Sequence, residues 1–70
     1  MILVTGGTGF VGRNIVRLIV EKGQKVRCLV RESSPRDVLD GLNVEFCTGD
    51  ILVPDTLKEA FNGIDTVIHL

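Results

Sequence analysis

The sequence predicts an α/β fold, in which one parallel sheet of strand order 3-2-1-4 has helices on both faces. Four short apolar segments, near residues 2–5, 26–30, 43–48 and 66–70, alternate with three segments of helical pattern. The connections are short, and no repeat, linker or low-complexity segment interrupts them. Strands joined through helices run parallel with right-handed crossovers. We therefore expect the order β-α-β-α-β-α-β.

The first predicted strand leads into a glycine-rich turn. Its apolar residues 2–4 are typical of a parallel strand that is buried on both faces, and Thr5 ends it. Gly6, Gly9 and Gly12 then fit the spacing Gly-x-x-Gly-x-x-Gly, while the set that begins at Gly7 fits Gly-x-Gly-x-x-Gly. Such a turn allows a sharp bend, lets a pyrophosphate approach bare backbone, and lets the next helix pack closely on the strand.

A helix that starts at this turn would present unpaired N–H groups and a partial positive charge to an anion. The context of strand, turn and helix therefore predicts a Rossmann-type dinucleotide-binding site, and a glycine-rich turn without a ligand is the alternative. The predicted binding residues are Gly6, Gly7, Thr8, Gly9, Phe10, Val11 and Gly12.

The first predicted helix and second strand follow directly. Apolar residues recur at helical spacing from Val11 to Ile19, and Gly23 supplies a left-handed stop. Residues 26–30, Val-Arg-Cys-Leu-Val, predict the second strand. Ser34 then precedes a proline in the pattern of a capped short helix, which we expect over residues 35–40.

The remaining elements are a third strand, a third helix and a fourth strand. The third strand is expected to end before the turn Gly49-Asp50. Thr56 and Glu59 match a capping box, which predicts a helix that ends at Gly63. Residues 65–70 predict the fourth strand.

Composition excludes several classes of protein. The 8 basic and 9 acidic residues give a net charge of −1, so we expect neither nucleic acid nor an anionic membrane as a partner. No apolar run approaches the roughly 18 residues of a membrane span. Cys28 and Cys47 have no Cys-x-x-Cys partner and the sequence has one histidine, so no metal site is expected. We expect reduced cysteines and a cytoplasmic location.

The fourth strand predicts that the chain is part of a larger domain. Val67, Ile68 and Leu70 would form an apolar sheet edge, and proteins usually cover such edges. We therefore expect residues 1–70 to be a dinucleotide-binding half-domain, the first half of a Rossmann-type domain. The alternative is a complete small protein that covers the edge by forming a homodimer.

Three motifs together resemble one known family over the whole chain. They are residues 5–12 (Thr-Gly-Gly-Thr-Gly-Phe-Val-Gly), residues 49–51 (Gly-Asp-Ile) and residues 65–70 (Asp-Thr-Val-Ile-His-Leu). The sequence resembles the N-terminal half of extended short-chain dehydrogenase/reductases, the group of NAD(P)-dependent epimerases, dehydratases and dihydroflavonol-reductase-like proteins. The resemblance implies that Asp50 hydrogen-bonds the adenine amino group and that Ile51 borders the adenine. Asp50 capping its own turn is the alternative.

The end of the second strand predicts the choice of cofactor. NAD-preferring members of the family carry an acid there, whereas this sequence has Val30 followed by Arg31. A guanidinium can clamp a 2′-phosphate, so we expect NADP, with NAD as the second choice. Glu32 is the residue that would instead favour NAD, and Arg31 would then be a solvated charge. Further donors to the same phosphate could come from Ser33, Ser34 and Arg36.

No catalytic residue is predicted within this chain. The family's catalysis uses a Tyr-x-x-x-Lys pair with a Ser or Thr, and this sequence contains no tyrosine. Lys58 is expected to be a surface charge on the third helix. His69 matches a histidine that is common in the family, but we expect a hydrogen-bonded core residue.

Two function classes follow. The first is the cofactor-binding part of an NADP-dependent oxidoreductase or epimerase, whose other part supplies the catalytic pair and the pocket for a small-molecule substrate. The second is a non-catalytic NAD(P)-sensing module, like the family's atypical regulatory members. A Tyr-x-x-x-Lys motif about 70 or more residues further along the gene would favour the enzyme.

Overall fold

The computed structural model describes residues 1–70 and confirms the predicted alternation of strands and helices. The strands are β1 (Ile2–Thr5), β2 (Val26–Val30), β3 (Val44–Thr48) and β4 (Thr66–His69). The helices are α1 (Phe10–Glu21), the 3₁₀ helices Asp37–Leu39 and Pro54–Leu57, and α2 (Lys58–Phe61). None of the helices has the length and apolar character needed to cross a membrane.

All four strands are parallel, in the order β3-β2-β1-β4, as predicted. Thr5 pairs with Leu29 on one side and with His69 on the other. Val30 pairs with Thr48 on β3. The carboxyl ends of the four strands therefore lie side by side along one edge of the sheet.

The core has two layers, one on each face of the sheet. The face covered by α1 buries six side chains, and these are Val4, Val16, Val26, Cys28, Val30 and Leu39. The opposite face packs Leu3 and Leu29 against Ala60 of α2. Alternation along β2 thus sends Cys28 and Val30 toward α1 and Leu29 toward α2.

The predicted start signals of the second and third helices are wrong. The segment after β2 forms only the 3₁₀ helix Asp37–Leu39, and no side chain caps it. Ser34 accepts a hydrogen bond from the Arg31 N–H at 3.2 Å, so its hydroxyl closes the turn directly after β2.

Thr56 does not cap α2. It lies within the 3₁₀ helix Pro54–Leu57, and α2 begins at Lys58 without a side-chain cap. The Thr56 hydroxyl lies 2.7 Å from the Val53 carbonyl oxygen and accepts a hydrogen bond from the Asp50 N–H at 2.9 Å. Its side chain therefore ties the helix back to the loop after β3.

Candidate functional site

A cleft of about 330 Å³ opens at the carboxyl ends of all four strands. Thr5 ends β1, Arg31 follows β2, Asp50 follows β3 by two residues, and His69 ends β4, and all four line the cleft. Ligands of open parallel sheets bind outside the carboxyl ends of the strands, where the strand order reverses. In this sheet the order reverses between β1 and β4, and the cleft includes that point.

Half of the predicted site residues line the cleft. Five of them line it, and these are Gly6, Thr8, Arg31, Asp50 and Ile51. The other five belong to the same turn and to the start of α1, and these are Gly7, Gly9, Phe10, Val11 and Gly12. Sequence reasoning did not assign the lining residues Thr5, Leu29, Gly49, Leu52 and Leu70 to the site. For Thr5, Gly49 and Leu70 the signal in the sequence is a position at or directly after the end of a strand.

The glycines of the turn have three different environments. Gly6 has a φ of 74°, which favours glycine and makes the sharp bend after β1. A Cβ at Gly12 would lie 2.0 Å from the Gly6 carbonyl oxygen, so α1 packs against the turn only because Gly12 has no side chain. A Cβ at Gly9 would meet nothing closer than the Gly6 oxygen at 3.5 Å. The protein itself therefore does not require a glycine at position 9.

The start of α1 presents unpaired backbone donors. Gly9 is the N-cap residue and no side chain caps the helix. The N–H groups of Phe10, Val11 and Gly12 have no hydrogen-bond partner within the chain. Three unpaired donors at the positive end of a helix dipole form a favourable environment for a phosphate.

Arg31 is free to act in the cleft. Its side chain is exposed and its guanidinium makes no ion pair and no hydrogen bond. Glu32 does not line the cleft. Val30 does not line it either, because its side chain is 3% exposed and packs in the core under α1.

Of the three additional donors expected after β2, only Ser34 lines the cleft. Arg36 instead lies along the edge of the sheet. Its Nη2 donates to the Thr48 hydroxyl at 2.9 Å, and its guanidinium lies 5.9 Å from the centre of the Phe46 ring. These contacts therefore hold the Arg36 side chain against β3.

The two carboxylate oxygens of Asp50 have different surroundings. One oxygen, Oδ1, accepts a hydrogen bond from the Leu52 N–H at 2.9 Å, so the carboxylate does cap its own turn. The second oxygen, Oδ2, has no partner. Ile51 and Leu52, which are 52% and 82% exposed, form an apolar rim beside it. This combination of a free acceptor and an apolar surface suits a planar base with an exocyclic amine.

His69 is hydrogen-bonded, as expected, but the expectation of a core position is wrong. Its Nδ1 lies 2.5 Å from the Thr5 hydroxyl oxygen, and the residue is exposed because β4 forms one edge of the sheet. Lys58 is exposed on α2 and makes no ion pair. Neither residue has an acidic partner.

Comparison with known proteins identifies similar sequences and structures. The family described as NAD dependent epimerase/dehydratase matches residues 2–70. A putative dihydroflavonol 4-reductase from Synechocystis is 45% identical over 96% of this chain and 19% of its own length. The photosystem II assembly factor Ycf39 from Synechocystis is 42% identical over 96% of this chain and 21% of its own length.

A solved structure gives the same result for the fold. A nucleoside-diphosphate-sugar epimerase from Pseudomonas aeruginosa, PA4631, superposes with a TM-score of 0.91 at 30% identity, over 99% of this chain and 23% of its own. The chain thus spans about a fifth of the length of the proteins that it matches.

Proposed function

Because the chain belongs to the NAD-dependent epimerase/dehydratase family, we propose that it binds NADP(H) as the N-terminal part of an NAD(P)-dependent oxidoreductase or epimerase/dehydratase. The observation that carries this proposal is the unpaired start of α1 beside a cleft that collects the carboxyl ends of all four strands. A dinucleotide offers the matching chemistry, since it carries a pyrophosphate between two nucleoside units.

The pyrophosphate lies against the glycine turn in this proposal. The N–H groups of Phe10, Val11 and Gly12 donate to its oxygens, and Gly9 leaves the approach open because no side chain stands there. The adenine lies on the rim made by Ile51, with its amino group donating to the free oxygen of Asp50.

Arg31 supports NADP rather than NAD. Arg31 lines the cleft and its guanidinium has no competing partner, so it can pair with a 2′-phosphate. An NAD-type site needs an acceptor for the ribose hydroxyls at the end of β2. Val30 offers none, and its side chain packs in the core. An acid introduced there would be a buried, unpaired charge, so Val30→Asp is a poor test of cofactor choice.

The test compares two arginines that differ in their partners. Arg31→Ala in the full-length protein is expected to weaken NADP(H) binding by on the order of ten- to a hundredfold, because a charge-assisted hydrogen bond is lost. Binding of NAD(H), which lacks the 2′-phosphate, should change little. Arg36→Ala is the matched control, since it removes the same charge from an arginine held on β3. Dissociation constants are measured by calorimetry at fixed ionic strength, because salt screens surface phosphate contacts.

Two results would contradict the NADP assignment. Equal weakening of both cofactors by Arg31→Ala would mean that Arg31 binds the shared pyrophosphate or supports the turn. No weakening of either would mean that Arg31 contacts neither cofactor.

The second candidate is a non-catalytic NAD(P)-sensing module. The assembly factor Ycf39 is nearly as similar to this chain as the putative reductase, with 42% against 45% identity. Both candidate functions use the same cofactor site. They differ in whether the full-length protein carries a Tyr-x-x-x-Lys pair, which this chain does not contain. Hydride transfer from bound NADPH to an acceptor, measured on the full-length protein and on its Tyr→Phe variant if the motif is present, separates them.

A further inference from the structure

The ends of β1 and β4 are joined at the cleft by a pair of side chains. Thr5 and His69 are register partners in the sheet, and the Thr5 hydroxyl oxygen lies 2.5 Å from His69 Nδ1. Thr5 is only 8% exposed, yet both residues line the cleft. The backbone reinforces the pair, because the Leu70 N–H donates to the Thr5 carbonyl oxygen at 3.2 Å.

This hydrogen bond can have either polarity. A threonine hydroxyl has one proton and two lone pairs, and imidazole Nδ1 is a donor or an acceptor depending on where the ring carries its proton. With Nδ1 unprotonated, Thr5 donates to His69 and turns only lone pairs toward the cleft. With a proton on Nδ1, His69 donates to Thr5 and the hydroxyl proton is free to reach a ligand.

A phosphate bound beside Thr5 would favour one of the two polarities. Gly6, the first residue of the phosphate-binding turn, follows Thr5 directly, and the charged side chains that line the cleft are Arg31 and Asp50. An oxygen that presents only lone pairs would repel a phosphate, whereas a hydroxyl donor would stabilise it.

We propose that His69 is a positioning residue, which holds its proton on Nδ1 and thereby directs the Thr5 hydroxyl proton at a phosphate oxygen of the bound dinucleotide. The inference rests on the proposed function and adds a side-chain donor to the backbone donors of α1. His69 acts through Thr5 and makes no contact with the reacting atoms.

The protonation of His69 is measured by ¹⁵N NMR on the full-length, ¹⁵N-histidine-labelled protein saturated with NADP(H). The resonances lost in His69→Asn assign the ring. A protonated Nδ1 in the saturated complex is the expected result, and an unprotonated Nδ1 overturns the proposal. If the wild-type protein binds neither NADP(H) nor NAD(H), the proposed function fails and this inference with it. Binding with an unprotonated Nδ1 overturns this inference alone.

Matched variants separate positioning from simple support of the fold. Thr5→Val keeps the side-chain shape and is expected to weaken NADP(H) about tenfold or more, while Thr5→Ser stays within about threefold of wild type. His69→Leu should match Thr5→Val, and His69→Asn, which keeps a donor near the position of Nδ1, should restore most of the affinity. The double variant Thr5→Val/His69→Leu should be no weaker than either single variant. Equal losses in His69→Asn and His69→Leu, or additive losses in the double variant, would contradict the proposal.

Discussion

Two glycines of the same turn illustrate different constraints on single residues. Gly12 is required by packing, since its Cβ would lie 2.0 Å from the Gly6 carbonyl oxygen. Gly9 has room for a side chain and an extended conformation with φ −73° and ψ 170°, which any residue adopts. The absence of a side chain at position 9 therefore needs a reason other than folding, and the proposed pyrophosphate supplies it.

Gly9→Val tests this assignment. The variant is expected to lose cofactor binding because its side chain stands where the pyrophosphate meets the backbone. Its free energy of unfolding should stay within about 1 kcal/mol of wild type, the scale of an unfavourable N-cap residue. Calorimetry of the full-length protein measures the affinity, and urea denaturation measures the stability.

Gly12→Ala is the contrasting variant. It should be destabilised by about 3 kcal/mol or more, because the added methyl group meets backbone that cannot move independently of α1. Unchanged affinity in Gly9→Val would contradict the binding of the pyrophosphate at the glycine turn. A stable Gly12→Ala would contradict the packing argument.

The site residues were predictable from the sequence to different extents. The glycine spacing and Arg31 could be assigned binding roles from the sequence. The structure places Gly6 and Arg31 at the same cleft. The contact between Thr5 and His69 was not predictable, because the two residues are 64 positions apart and only the strand order makes them neighbours. The direction of the Val30 side chain likewise depends on the alternation along β2 once α1 covers one face.

At the scale of elements, the strands were predicted more accurately than the helix starts. The apolar runs of β1 and β2 predict strands clearly, because both strands are buried on the two faces of the sheet. A capping serine or threonine is a weaker signal, since its hydroxyl can satisfy any nearby backbone group. Ser34 and Thr56 both do so, by bonding to loops at the ends of β2 and β3.

Arg27 connects three elements on the α2 face of the sheet. Its Nε donates to Glu45 on β3 at 2.7 Å, and its Nη1 donates to the carbonyl oxygens of Ala60 at 2.8 Å and Asn62 at 2.7 Å. The side chain is 13% exposed, so these bonds are partly shielded from water. A cation at the carboxyl end of a helix also interacts favourably with the helix dipole.

Arg27→Met is expected to destabilise the fold by about 2–3 kcal/mol, because the carbonyl oxygens at the end of α2 lose their donor. Arg17→Met, on the exposed side of α1, is the control and should change stability by less than about 0.5 kcal/mol. Urea denaturation of both variants gives the comparison. Equal stability of the two variants would show that Arg27 does not hold α2 on the sheet.

The whole molecule has a small core, and transient unfolding of this core can be measured. Only 13 of 70 residues are buried, which indicates marginal stability for this part of the fold. Burial raises the pKa of the Cys28 thiol to about 11, so at pH 8 this thiol is protonated and unreactive in the folded state. Alkylation of Cys28 therefore reports unfolding of the core beneath the glycine turn.

Cofactor binding is expected to slow Cys28 alkylation in the full-length protein. At a free ligand concentration of about 100 times the dissociation constant, opening and therefore alkylation should fall about a hundredfold. Peptide mapping by mass spectrometry follows Cys28, with the half-buried Cys47 on β3 as an internal reference. A Cys28 alkylation rate that is unchanged at saturating cofactor would show that the ligand does not stabilise this part of the protein.

The central claim is that the start of α1 binds the pyrophosphate of a dinucleotide, and amide hydrogen exchange tests it most directly. The N–H groups of Phe10, Val11 and Gly12 have no partner in the free chain, so they should exchange rapidly. In the full-length protein saturated with NADP(H), we expect their exchange to slow about tenfold or more, while the amide of Asn43, at the opposite end of the sheet, is unchanged. Exchange of these three amides that is as fast with saturating cofactor as without it would contradict the account.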